Sequence, residues 1–334
     1  MKTYNVAILG ATGAVGSEML KVLQERNFPI KELHLLASSR SAGKVIHAFD
    51  RDIIIQEVNE NSFKGIDIVL SAVGNETAKK WLPIATKSGS IVVDNSSAYR
   101  MDDDVPLIIP EVNPEDIKKH TGIIANPNCA TIIALVAIAP LHRIAPIKRM
   151  IVSTYQAVSG AGVGGIHELE DQVAAIAHGK EVVIKNFQHQ IAYNLIPQIG
   201  DFDEFGYSSE EMKMQNEGRK ILHNDDLKVN CTCVRVPIIR SHSESITIEF
   251  RDEMDVQTAR NLLKNAPGVK LVDDGAHHQY PMPLDTSDQD DVFVGRIRQD
   301  ISSDVPSLSL WCCGDQIRKG AATNAVQIAE LLIL

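Results

Sequence analysis

Short apolar runs alternate with stretches of helical periodicity through the first third of the chain. Residues 5–9 (Asn-Val-Ala-Ile-Leu) have the pattern of a buried strand. Residues 13–26 read as a helix whose inner face carries Val15, Met19, Leu20, Val22 and Leu23. Segments 33–37, 53–55, 66–71 and 90–94 read as further strands, with 76–88 as a crossover helix. Such alternation predicts a parallel, Rossmann-type α/β domain. Later the pattern changes. Long β-branched runs at 150–158 and 231–239 precede strands at 245–250, 292–298 and 307–313, which suits a mixed sheet. A helix is expected over 255–265 with Asp255 as its cap, and an amphipathic helix over 319–332 closes the chain.

The pattern divides the 334 residues into a parallel α/β domain at 1–127 and an α+β domain with a mixed sheet at 128–315. Composition narrows the partners. Lys and Arg total 33 against 43 Asp and Glu, a formal charge of −10, and aromatics are 5%. Neither an electrostatic footprint nor a stacking platform for nucleic acid is present. The longest apolar stretch, 130–139, ends at Pro140 and is too short to span a membrane. The apolar N-terminus resembles a signal peptide superficially, but its glycines and the helix after it have a better explanation. Five cysteines with no zinc-ligand spacing point to a reducing cytoplasm and no metal.

Between the first strand and helix lies Gly10-Ala11-Thr12-Gly13-Ala14-Val15-Gly16. A glycine turn opening a helix offers free N–H groups to a pyrophosphate, so Gly10, Thr12, Gly13, Ala14, Val15 and Gly16 are candidate cofactor contacts. The second strand runs into Ser38-Ser39-Arg40-Ser41-Ala42-Gly43-Lys44 without the acid that usually accepts from an NAD ribose. Arg40 and Ser41 favour NADP. Cys129, after Asn126-Pro127-Asn128, falls at the start of an apolar helix, where the dipole favours thiolate. It is the candidate nucleophile, and the other four cysteines read as packing.

GATGAVG, ASSRSAGK, DNSSAYR, EVNP, NPNC, SGAG, EEMKM, VRVPIIRSHSES and DQIRKGAA occur in order from residue 8 almost to the C-terminus. In this combination the chain resembles the aspartate-semialdehyde dehydrogenases. One departure is Ser71-Ala72-Val73-Gly74-Asn75, where many members carry adjacent glycines. The resemblance implies NADPH-dependent conversion of L-aspartyl 4-phosphate to L-aspartate 4-semialdehyde and phosphate, in the route to lysine, methionine and threonine, without a metal. It implies Cys129 as nucleophile, His242 as acid–base and Gln156 orienting the acyl group. Arg235 would grip the α-carboxylate and Glu210 the ammonium, though Glu211 is adjacent. Arg100 and Lys213 would bind phosphate, with Asn128 beside the nucleophile. Ser159, Gly160 and Gln316 would meet the nicotinamide. It further implies that 316–334 completes the first domain and that the protein is a homodimer or homotetramer. Acetylglutamyl-phosphate reductases, acyl-CoA reductases and a non-catalytic NADP-binding paralogue are the competing readings. The first would give the Glu210–Lys213 pair no ammonium to bind.

Overall fold

The computed structural model describes residues 2–333, which form two compact units. One comprises the chain up to Asn128 together with Ala321 onward, and the other is Cys129–Gly320.

The first unit is a six-stranded, wholly parallel sheet. Its strands are β1 (Tyr4–Leu9), β2 (Ile30–Ala37), β5 (Gln56–Glu57), β6 (Ile68–Ser71), β7 (Ile91–Asp94) and β8 (Ile123–Ala125), in the order β5-β2-β1-β6-β7-β8. A small hairpin, β3 (Val45–Ala48) with β4 (Arg51–Ile54), stands apart from it. Helices α1 (Ala14–Glu25) and α2 (Asn75–Lys87) are the crossovers. Alternation along β1 explains the two faces. Val6 and Ile8 enter one core with Met19 and Leu23 of α1, while Ala7 and Leu9 enter another with Ala78 and Leu82 of α2.

A C-terminal helix, Thr323–Leu331, joins the first of these cores through Ala325, Val326, Ile328 and Ala329. Arg26 at the end of α1 grips its Glu330 with two hydrogen bonds of 2.8 and 2.7 Å. The expected amphipathic helix over 319–332 needs correction. Residues 318–322 form a π-turn, and most of the helix after it is buried on every side, leaving Gln327 and the last turn partly exposed.

The second unit carries the mixed sheet. Its strands are β9 (Ile147–Gln156), β10 (Lys228–Arg235), β11 (His242–Phe250), β12 (Val269–Leu271), β13 (Val292–Gln299) and β14 (Ser307–Gly314), in the order β10-β9-β11-β14-β13-β12. Only the β9–β10 and β12–β13 pairs are parallel. Helix α3 (Cys129–His142) is buried around its whole circumference from Ala130 to Ala139, as its uninterrupted apolar sequence requires. Helices α4 (Val163–Ala177), α5 (Ser209–Leu222), α6 (Val256–Lys264) and the short α7 (Pro283–Thr286) complete the unit. Asp255 caps α6 through Thr258 N at 2.8 Å. Strand β10 stops at Arg235, earlier than the apolar pattern suggested, because Pro237 has no N–H for the ladder. Strand β11 begins earlier than expected and takes His242 as its first residue.

Candidate active site

In the first unit, Gly10 adopts φ +90°, and a Cβ there would lie 2.5 Å from Ala72 O. A Cβ on Gly16 would lie 2.2 Å from Gly10 O, so both positions must be glycine for β1, β6 and α1 to approach. A Cβ on Gly13 would meet nothing nearer than Gly10 O at 3.5 Å, and Gly13 precedes the first turn of α1. Its open side faces a cleft of about 840 Å³ lined by Gly10, Thr12, Gly13, Ser38, Ser39 and Gly74. The cleft lies beyond the carboxyl ends of β1, β2 and β6, where the strand order reverses, as expected of a dinucleotide site. The glycine cradle and the clear backbone at Gly13 fit a pyrophosphate.

Not every loop candidate reaches this cleft. Ala14, Val15, Gly16, Arg40 and Ser41 are outside its lining. Arg40 is exposed, and Ser41 Oγ lies 3.4 Å from Thr12 Oγ1. Conversely Glu57, Glu60 and Lys80 line the cleft and were not foreseen. Glu57 belongs to a two-residue strand paired with Ala37 at the end of β2, too short to leave a pattern. Arg100 is buried in this unit, with Nη2 donating to Asn95 O at 2.8 Å. The segment before Asn128 is fixed by Asn126, whose amide donates to Asn95 Oδ1 at 2.9 Å. Its oxygen accepts from Asn324 at 2.7 Å, a partner that sequence reading missed.

In the second unit, Cys129 opens α3, and its Sγ is 3.4 Å from His242 Nε2. Gln156 ends β9 beside Arg235 at the end of β10, so parallel register brings them together. Gln156 Nε2 donates to Glu210 Oε1 at 3.1 Å and lies 3.4 Å from His242 Nε2. Its Oε1 accepts from Thr154 Oγ1 at 3.0 Å. Thr154 was overlooked, although alternation along β9 sets it on the same face as Gln156. Arg235 is buried and donates from Nη1 to Ala157 O at 2.7 Å. Burial lowers its pKa, while Cys129 and Glu210 oppose that fall. A Cβ on Gly160 would lie 2.8 Å from Arg235 Nη1 and 3.3 Å from His242 Cε1, so Gly160 leaves this floor open.

The adjacent glutamates separate cleanly. Ser208 caps α5, and Glu211 closes a capping box by accepting from Ser208 N at 2.7 Å. The other Glu211 oxygen accepts from Cys233 N at 2.9 Å. Glu210 instead turns to Gln156 and forms a 2.8 Å ion pair with Lys213. Ser159 and Gln316 meet directly, with Gln316 Nε2 donating to Ser159 Oγ, while Gln316 Oε1 accepts from Ser241 N at 2.8 Å. Both ends of this amide are therefore held within the unit.

His242 is fully buried, and its pKa falls to about 3 through burial first and the Arg235 charge second. Ala157 N donates to its Nδ1 at 3.0 Å, which places the proton of the neutral ring on Nε2, facing Cys129. An unperturbed histidine titrates near 6.5, and burial takes His242 well below that range. Since the folded state resists protonation, stability should fall as pH drops from about 6.5 towards about 3. Three of the other four thiols are pushed up. Cys312 is raised by burial, Cys313 by burial to about 11, and Cys231 by its hydrogen bond to Cys233 and by burial.

Glu244 lies two residues along β11 from His242, between Thr154 and Cys312 on the flanking strands. It is fully buried, neither oxygen has a hydrogen-bond partner, and burial raises its pKa well above that of an ordinary glutamate. A native state that keeps this carboxyl protonated where the unfolded chain ionises it loses stability as pH rises above the ordinary glutamate range. Glu244→Gln cannot ionise. Its unfolding free energy, measured with urea at pH 6 and pH 8, should gain on wild type by up to about 1.4 kcal/mol per pH unit. A difference independent of pH would show that Glu244 is ionised in the fold.

Among the described residues no group of three or more His, Cys, Asp or Glu could hold a metal ion, and no helix is long and apolar enough to cross a membrane. The family model described as semialdehyde dehydrogenase, NAD binding domain, matches residues 5–120, and that of the semialdehyde dehydrogenase dimerisation domain matches 138–319. Aspartate-semialdehyde dehydrogenase of Aquifex aeolicus (strain VF5) is 55% identical, covering 99% of this chain and 98% of its own. The Synechocystis enzyme of the same name is 52% identical over 98% and 97%. Among solved structures, aspartate semialdehyde dehydrogenase II from Vibrio cholerae complexed with ASA superposes with a TM-score of 0.97 at 46% identity, covering 100% of this chain and 99% of that one. The Candida albicans enzyme with NADP gives 0.75 at 26% identity, with 99% of each chain covered.

Proposed function

The chain belongs to the aspartate-semialdehyde dehydrogenase family, and from that premise we propose that it uses NADPH and works through a thioester on Cys129. The activity is that of the family, a nicotinamide-dependent reaction linking L-aspartyl 4-phosphate and L-aspartate 4-semialdehyde in amino-acid biosynthesis. The observation that carries the mechanism is the Cys129 Sγ–His242 Nε2 approach of 3.4 Å at the start of a buried helix.

Cys129, as thiolate, attacks the acyl phosphate carbonyl, the C–O bond to phosphate breaks, and inorganic phosphate departs with the electron pair. NADPH, when bound, would supply the hydride that reduces the thioester carbonyl. The resulting alkoxide lies beside Cys129, where the Nε2–H of neutral His242 can donate to it. Collapse expels the Cys129 thiolate and frees the aldehyde, so no net proton passes through the ring. His242 is thus a proton donor to the oxyanion rather than a cation, which suits a ring held neutral by burial. Arg235 takes the α-carboxylate and Glu210 the α-ammonium, while Arg100 and Lys213 take phosphate. Gln156, locked by Thr154 and Glu210, orients the acyl group, and Asn128 supports the nucleophile from the adjoining position.

For the cofactor, Gly10, Thr12 and Gly13 would cradle the pyrophosphate, and Ser38 and Ser39 would face the adenosine end. Arg40 and Ser41 would close on a 2′-phosphate from outside the cleft. The lack of an acid ending β2 supports NADP, against which Glu57 in the cleft is the counterweight. Ser159, Gly160 and Gln316 would meet the nicotinamide. A homodimer assembled through the second unit and a cytoplasmic location complete the reading. Exposed Tyr193, Leu195 and Ile239 and the dimerisation-domain match support the first, and free thiols support the second.

The test is the reverse reaction, followed by NADPH absorbance with L-aspartate 4-semialdehyde, phosphate and either NADP or NAD. Phosphate-dependent reduction with kcat/KM at least about tenfold higher for NADP than for NAD is expected, about 1.4 kcal/mol of discrimination. Equal use of NAD would overturn the cofactor choice. A rate unaffected by omitting phosphate would overturn the acyl-phosphate mechanism.

A further inference from the structure

His242 and Gln316 sit on separate turns, one entering β11 and one leaving β14. The first turn is conformationally forced. Ser241 has φ +73°, a region that side chains other than glycine rarely occupy, so its shape must be imposed by what surrounds it. Its N–H is committed to Gln316 Oε1 at 2.8 Å, and its hydroxyl lies 3.2 Å from Ser287 Oγ. Behind these contacts lies Asp315, with no exposed surface. Its Oδ1 accepts from Ile317 N at 2.9 Å and Arg318 N at 3.1 Å, closing the turn that carries Gln316. Its Oδ2 accepts from Asp288 N at 2.7 Å and pairs with Arg240 Nε at 2.5 Å. Arg240 Nη1 returns to Asp288 Oδ1 at 2.9 Å.

We propose that Asp315 is a positioning residue for the reaction: its carboxylate clamps the Arg240–Ser241 turn, and with it His242, to the turn that presents Gln316. The inference rests on the assignment of Cys129 and His242 above. Asp315 touches no reacting atom. It acts through the 3.4 Å Cys129–His242 separation, which is set by where β11 begins. Displacement by about 1 Å at a reacting pair can cost on the order of a hundredfold in rate.

The two oxygens have different duties, so Asp315→Asn separates them. An amide can still accept from Ile317 N and Arg318 N, but then turns its NH₂ towards Asp288 N–H and Arg240 Nε–H. Whichever way it rotates, one pair of donors faces another donor. Arg240→Met breaks the same link from a partly exposed position and leaves the Gln316 turn capped. In both variants kcat should fall by about 30- to 100-fold, with KM for semialdehyde and phosphate within about threefold. The rate of Cys129 alkylation by iodoacetamide should change in parallel. The double variant should be no worse than either single one, because one link is lost. Asp290→Asn, which loosens only the neighbouring 2.8 Å pair with Arg318, should leave kcat near wild type.

Unchanged kcat per alkylatable Cys129 in Asp315→Asn or Arg240→Met would overturn the proposal. So would losses that multiply in the double variant or that follow thermal stability alone. His242→Asn serves as the separate check. Wild-type turnover and alkylation in that variant would remove the premise, whatever Asp315 does.

Discussion

Cys129→Ala is expected to abolish phosphate-dependent reduction of NADP by L-aspartate 4-semialdehyde, with kcat down by at least about 10⁴-fold. The size comes from the loss of a covalent route. Without sulfur at the start of α3, neither the thioester nor the tetrahedral adduct beside His242 can form, and the remaining groups only bind and polarise. The fold should tolerate the change. Alanine deletes one atom, starts a helix well, and keeps the Cβ that a Cβ placed on Gly320 would meet at 3.0 Å. NADP binding, measured by titration, should therefore stay within about twofold and the melting temperature within a few degrees. Cys129→Ser should be nearly as inactive, since its hydroxyl stays protonated and the buried neutral imidazole is a weak base. Retention of a tenth of the wild-type rate in Cys129→Ala would dismiss the thioester. Loss of NADP binding with the rate would mean a damaged fold.

Why the placement of Cys129 and its neighbours could be read from sequence, and other parts could not, has a physical basis. The glycine turn obeys local rules: Gly10 needs positive φ, and Gly16 admits no Cβ. Cys129 is legible because Pro127 and the apolar run after it fix a helix start. Register is not written so plainly. Nothing in 228–235 says that Arg235 will stand beside Gln156 rather than one residue away, yet a one-residue slip would turn its guanidinium to the other face of the sheet. The capping box in Ser208-Ser209-Glu210-Glu211 was a readable signal, and it alone assigns Glu211 to the helix and leaves Glu210 for Gln156 and Lys213. The state of His242 was invisible in principle, since burial and the Ala157 N–H arise only when distant segments meet. Asp315 was hidden likewise, because its partners lie 75 and 27 residues away in the chain.

Arg235→Lys is the second large effect expected, and it should appear in KM. The guanidinium is buried, fixed by one 2.7 Å hydrogen bond to Ala157 O, and joined to the β10 ladder and to Ile196 by its backbone. That leaves a planar fork preorganised for a carboxylate, which lysine cannot reproduce with a single ammonium. The α-carboxylate is remote from the carbonyl that reacts, so its contact is similar in ground and transition states. Removing it should raise the KM for semialdehyde by about 100-fold or more and alter kcat by less than about tenfold. This corresponds to roughly 3 kcal/mol, within the range for truncating a buried, hydrogen-bonded charge pair. Phosphate and NADP should keep their KM values to within about threefold. The neutral Arg235→Met should bind semialdehyde more weakly still and also release His242 from a nearby positive charge, so its ring should titrate upward from about 3. Measuring all three KM values separates the possibilities. A rise confined to phosphate would move Arg235 to the phosphate pocket, and a fall in kcat alone would make it part of the reacting centre.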